Sequence, residues 1–198
     1  MRDISTKAEG VRERRKRETL LRIAETGLKL FVKNGYEGTT LDEIAAEAGI
    51  ARRTFFYYFK SKEAILLAFL DGGFAKAITP ILLAQPTDQR AFNAARSSII
   101  ELMSSHDPEE AIVVTNLLGS TEALKARMPG VFVEMEHAVF DCLCELWPEP
   151  EKRVSLRMVA MMSIGAMRIA KEAWIQADGK KPLSQYLQES FNAVETVI

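Results

Sequence analysis

Most of what a strand-rich or disulfide-bonded fold needs is scarce in this chain. Its 198 residues include two cysteines, seven prolines and eleven glycines. Segments that alternate apolar and polar residues are nearly absent. Two cysteines supply no disulfide framework and suit a reducing cytosol. No apolar run approaches the roughly 20 residues that a bilayer span needs. The longest, MVAMMSIGAM, is closed off by Arg157 and Arg168. The opening stretch, MRDISTKAEGVRERRKRETL, is too polar for a secretory signal. A cytoplasmic protein with no membrane partner is expected. Also missing are G-x-S-x-G, a Walker motif, H-E-x-x-H and zinc-ligand spacing, so neither an enzyme nor a cofactor is expected.

What is present is charge, unevenly placed. The net charge of −1 conceals a basic front, with 14 Lys/Arg against 9 Asp/Glu in residues 1–62, and an acidic rear. That split points to a polyanionic partner for the front alone.

Apolar residues recur at the 3.6-residue helical period almost throughout, which predicts an all-α protein. A first helix is expected from about Arg12 to Lys33, carrying Leu20, Ala24, Gly27, Leu28 and Phe31 inward and stopping at Asn34-Gly35. Thr40-Leu-Asp-Glu43 has the form of a capping box, and the helix that it opens turns Leu41, Ile44, Ala45 and Ala48 inward before Gly49. Then comes ARRTFFYYFKSKE, with five aromatics in succession. On a wheel of about 100° per residue, Phe55, Phe56 and Phe59 share one arc, while Arg53, Thr54, Tyr57 and Tyr58 take the other side. The run therefore interleaves a core face with a working face. Two short helices about a glycine turn make a helix-turn-helix. A longer helix begins near Ser61 and fades at Gly72-Gly73 or Pro80. Further helices are expected at 88–105, 109–118, 120–127, 130–147, 151–177 and 183–197, with one break at Pro129-Gly130.

The stretch GYEGTTLDEIAAEAGIARRTFFYYFKSKEAIL, residues 35–66, resembles the TetR family of bacterial transcriptional regulators. The resemblance implies a flexible basic tail over 1–11, a three-helix DNA-binding domain over 12–60, and a larger helical ligand-binding and dimerisation domain over 61–198. It also implies that Arg52, Arg53 and Tyr57 approach base edges, with Thr54 on the same face, and that Thr40, Tyr58 and Lys62 grip phosphates. The chemistry agrees, since arginine donates two parallel bonds to guanine O6 and N7, and hydroxyls and ammonium groups suit phosphate. Ala51 stands where the family often has a capping serine, and Phe56 where it often has a tyrosine.

In the rear, Ser163, Ala166, Ala170 and Ala173 form a small-residue stripe, and Leu183, Leu187, Ser190, Phe191, Val194 and Ile198 form another stripe on the last helix. The resemblance makes both a homodimer seam; the alternative is packing within one chain. Phe69, Phe92, Met103, Met128, Phe132 and Met135 are candidates to line an effector cavity, since methionine adapts to irregular ligands. Arg168 interrupts an apolar helix and, if buried, needs an anion from a glutamate or from the effector. Glu134, His137, Asp141 and Cys144 share a helix face but read as solvated, so no metal is expected. His106, close to a helix end, suits the dipole there.

The leading reading is a homodimeric repressor released from a palindromic DNA operator by a small, largely apolar molecule. Two others stay open: a DNA-binding regulator with no effector, and, more weakly, an enzyme with an appended DNA-binding module.

Overall fold

A computed structural model of the chain describes residues 11–70, 72–105 and 108–196, the side chains of 11, 12 and 108–110 excepted. The tail expected over 1–11, His106 and the last residue of the final stripe, Ile198, fall outside that description, Val11's backbone aside. The elements are α1 (Val11–Asn34), α2 (Leu41–Glu47), α3 (Arg52–Tyr58), α4 (Lys62–Leu70), α5 (Gly73–Leu83), α6 (Ala91–Ser104), α7 (Pro108–Leu118), α8 (Glu122–Leu146), α9 (Arg153–Gln176) and α10 (Leu183–Glu195), with a 3-10 turn at Pro150–Lys152. No strand occurs among the described residues. The chain divides into two compact units between Phe69 and Leu70.

The first unit is built around Ile23, Ala24, Phe31, Ile44, Phe55, Phe59, Ile65 and Leu66, all buried. Gly27 lets α1 come close to its neighbours, because a Cβ there would stand 2.7 Å from Ile65 Cγ2. Ile65 and Leu66 complete this core, which is why the unit runs on to Phe69 and does not stop near residue 60. Gly35, at φ +80°, takes the left-handed conformation that ends α1. The buried Thr39 hydroxyl then lies 3.1 Å from the Leu30 carbonyl and 2.9 Å from that of Gly35, closing the corner into α2.

In the second unit α9 packs on α10, α8 and α6, while α5 packs on α8 and α6. Of the two stops offered for the helix that begins near Ser61, the one at Gly72-Gly73 is used and Pro80 is not, whereas the break expected at Pro129-Gly130 is absent. Pro80 lies inside α5, and Pro129 lies inside α8, so the helices expected at 120–127 and 130–147 are one. A proline in a helix costs about 3 kcal/mol through its missing N–H and its ring. Burial of Leu124 and Val131 on either side offsets that cost, as does an Arg127–Glu134 ion pair of 2.6 Å across the proline. Trp174 Nε1 donates to the Lys181 carbonyl at 3.1 Å and ties down the turn into α10, where Asp178 and Gly179 both have positive φ.

The stretch Lys62–Leu83 does reach the length and mean hydropathy, 1.6, of a bilayer span, a correction to the expectation that none comes near. Its apolarity has another use, since Ile65 and Leu66 fill the first core and Ile78 and Leu82 the second.

Candidate nucleic-acid interface

The capping box at Thr40 is complete. Thr40 Oγ1 accepts from Glu43 N at 3.2 Å, and Thr40 N donates to Glu43 Oε2 at 2.7 Å. These bonds to the Thr40 N–H and hydroxyl hold the Glu43 carboxyl below the usual carboxylate range. At the other end of α2, Arg22 Nη1 donates to the Ala48 carbonyl at 2.7 Å, so α1 fixes the angle of the turn into α3. Ala51 offers no side-chain cap, as expected, and α3 is held by its inner face instead. Phe55 and Phe59 are buried there with their rings 5.7 Å apart. Phe56 is only half-buried, against the expectation that it shares their core: its ring meets Phe55 edge-on and takes the Arg52 guanidinium at 5.6 Å.

The outer face of α3 leaves Arg53, Thr54 and Tyr57 exposed, Tyr57 at 76%. Tyr58 is half-buried and meets the Tyr57 ring edge-on at 5.1 Å. Arg52 is paired through Nε with Asp42 Oδ1 at 2.9 Å, which brings the starts of α2 and α3, and hence Thr40, Arg52 and Arg53, to one side. Lys62 departs from its expected place on that surface. Its side chain is 21% exposed; Nζ donates to the Tyr36 carbonyl at 2.5 Å and lies 4.4 Å from that ring's centre. Burial, with Glu63 accepting from its hydroxyl at 3.0 Å, raises the Tyr36 pKa. Lys62 and Tyr36 thus join α4 to the end of α1. Asp42, Arg22 and Tyr36 carry no motif in the sequence; only the fold shows what they hold.

The second unit redistributes the other candidates. Phe92 is wholly buried against Phe191, with ring centres 5.8 Å apart. Met103, Met128, Phe132 and Met135 are half-buried. Phe69, also half-buried, belongs to the first unit. Arg168 needs no buried anion: its side chain is 52% exposed, 3.6 Å from Glu172 and over the Phe132 ring. A wheel cannot tell a residue that interrupts an apolar face from one at its rim. Two neighbours on α9 hold the less solvated cations. Lys171 is half-buried, desolvation lowers its pKa, and no acidic partner stands beside it among the described residues. Arg157 buries Nη1 without a hydrogen-bond partner among the described residues.

Ser163, Ala166, Ala170, Leu187 and Phe191 are buried within the single chain, Ala173 and Val194 partly so. The apolar side that α9 leaves to solvent is instead Val154, Met158, Met161 and Ile169. Beside it, Ala166, Ile169, Glu189, Ser190, Ala193 and Val194 line an open groove of about 420 Å³ between α9 and α10. Of the solvated acidic face, Glu134 is taken up by Arg127. Burial pushes the Cys142 thiol up, and its Sγ donates to Thr79 Oγ1 at 3.7 Å.

Residues 23–69 match the family model described as bacterial regulatory proteins, tetR family, and residues 89–198 match that of the MftR C-terminal domain. The HTH-type transcriptional regulator TcmR of Streptomyces glaucescens is 38% identical over 126 residues, 63% of this chain and 55% of TcmR. The Bacillus subtilis regulator YuxN is 48% identical over 60 residues, 30% of this chain and 21% of YuxN. The chain thus spans between a fifth and just over half of these relatives. Among solved structures, the transcriptional regulator FadR of Bacillus subtilis, in complex with stearoyl-CoA, superposes with a TM-score of 0.55 at 19% identity, covering 87% of this chain and 95% of that one.

Proposed function

We propose that this chain, which belongs to the TetR family of bacterial transcriptional regulators, is a homodimeric repressor released from its operator by a small, largely apolar molecule. One observation carries the DNA-reading part. The outer face of α3 presents Arg53, Thr54 and Tyr57 to solvent, while Phe55 and Phe59 anchor the inner face. A short helix fixed on one side and furnished with donors on the other suits the major groove, which distinguishes all four base-pair orientations. Thr40 and Tyr58 flank it as phosphate donors.

Dimerisation is supported by the outer side of α9. Val154, at 77% exposure, and Ile169, at 57%, stand with Met158 and Met161 as apolar groups that the chain leaves uncovered. A second copy of α9 and α10 would cover them, and two reading helices would then engage half-sites about one helical turn apart.

The effector reading rests on the half-buried Met103, Met128, Phe132 and Met135. The FadR neighbour holds stearoyl-CoA, a long apolar chain with an anionic head, and a ligand of that type suits such a lining. Release requires that the ligand bind the conformation unable to hold DNA more tightly than the one that does.

Selection from a randomised duplex pool tests the proposal. A palindromic site with half-sites near 10 base pairs apart is expected, its occupancy lowered by long-chain acids and not by sugars. Enrichment of no sequence, or of a single unrepeated half-site, would sink it.

A further inference from the structure

We infer that Arg153 and Arg157 of α9, gathered around Phe140 of α8, form a receiving site for the oxyanion of a ligand, a carboxylate or a phosphate monoester. The two guanidinium carbons lie 5.3 and 5.6 Å from the centre of the Phe140 ring. Two cations therefore share one aromatic ring. Among the described residues one acidic contact stands against them: Arg157 Nη2 lies 3.5 Å from Glu136 Oε2, at the outer limit of a hydrogen bond. In direct contact, two guanidinium groups thus meet one carboxylate.

The second Arg157 nitrogen sharpens the case. Nη1 is cut off from solvent and has no hydrogen-bond partner among the described residues. A buried, unsatisfied group on a charged side chain is costly, and native proteins keep few of them without a reason. Its counterparts in that state, the Ser98 and Ser163 hydroxyls, are neutral and belong to the packed core. Arg157 is different because its side chain is 30% exposed, so a change of rotamer can bring the whole guanidinium out. Glu136, 18% exposed, is the group that an incoming anion would displace. The planar fork of arginine matches a carboxylate or phosphate with two parallel bonds, a better match than a single contact at 3.5 Å. The Phe140 ring stands against both cations and limits their hydration.

Arg168, the cation singled out from the sequence, also stands over a ring, that of Phe132, but it is exposed, shares that ring with no second cation among the described residues and has Glu172 for company. The biological role of the site, though not the binding itself, rests on the effector reading.

Three probes with one chain length, decanoate, decyl phosphate and neutral decanol, separate charge from apolar burial. Their binding to the full chain is measured by calorimetry, and each is also tested for release of the selected duplex. Wild type should prefer at least one acid over decanol by about tenfold or more, and the better acid identifies the oxyanion. Arg157→Met should bring that preference close to unity while decanol binding stays the same. Glu136→Gln should strengthen acid binding severalfold, because the competing carboxylate is gone; a site that merely holds the fold together would not tighten. Should Arg157→Met fail to fold, Glu136→Gln and the charge-keeping Arg157→Lys carry the test. An acid preference that survives Arg157→Met, or acid binding that weakens in Glu136→Gln, overturns the site. If the acids bind with the expected dependence and leave DNA binding untouched, the site stands and the effector reading falls.

Discussion

Arg52 Nε lies 2.9 Å from Asp42 Oδ1, joining the first residue of α3 to the second of α2, with both side chains more than half exposed. In the free protein this arginine is therefore already occupied. An exposed pair of this kind is worth at most about 1 kcal/mol, so a phosphate or a guanine can replace the carboxylate. Asp42→Asn should release Arg52 and remove a negative charge from the surface proposed to meet DNA. Binding to scrambled duplexes should tighten several-fold and discrimination should fall, as read by anisotropy titrations at fixed salt. Unchanged affinity for scrambled DNA would place Arg52 away from the duplex.

Arg53 and Lys62 should part company. Arg53 is exposed, with no partner among the described residues, and Arg53→Ala should cost about 1–3 kcal/mol on the selected site and relax preference at one position of each half-site. Lys62 is bound to Tyr36. Lys62→Ala should therefore lower the melting temperature of the first unit and leave the salt dependence of DNA binding close to wild type. A drop of about one in the salt slope per protomer would mean that Lys62 leaves Tyr36 for a phosphate.

On α9, two substitutions to arginine should behave differently. Met161 is on the exposed side, and Met161→Arg should give folded monomer in sedimentation, because the charge is buried only when a second chain arrives. Ala166 is 2% exposed within its own chain, so Ala166→Arg should instead lower thermal stability by several kcal/mol or prevent folding. A wild-type dimer from Met161→Arg would move the interface off this side.

Lys171 should make stability rise with pH. Desolvation lowers its folded-state pKa, so the unfolded chain binds more protons in the window between that value and the ordinary lysine range. Raising the pH through that window removes the penalty on the native state. Lys171→Met keeps most of the volume and should raise stability at neutral pH while flattening the alkaline rise in thermal melts. A variant less stable at pH 7 would show that the ammonium has a partner in solution.

Helix type and the division of α3 into a buried and an exposed face were legible because their signals are local. A capping box needs only Thr40 and Glu43 three residues apart, and the division of FFYYF into Phe55 and Phe59 inside and Tyr57 outside follows from 100° per residue. Tertiary structure decided whatever depended on which neighbour stands beside a face. Ser163, Ala166 and Ala170 permit close approach by any helix; here they are buried within the chain, leaving Met158 and Met161 outside. Pro129 reads as a stop until burial of Leu124 and Val131 on both sides outweighs its lost hydrogen bond. Long cations were the least legible, because a flexible stem of four or more bonds lets one backbone position serve several environments. Lys62 turns to Tyr36, Arg168 to solvent, and Arg157 to Phe140, and nothing in the spacing of their neighbours along the chain sets those choices.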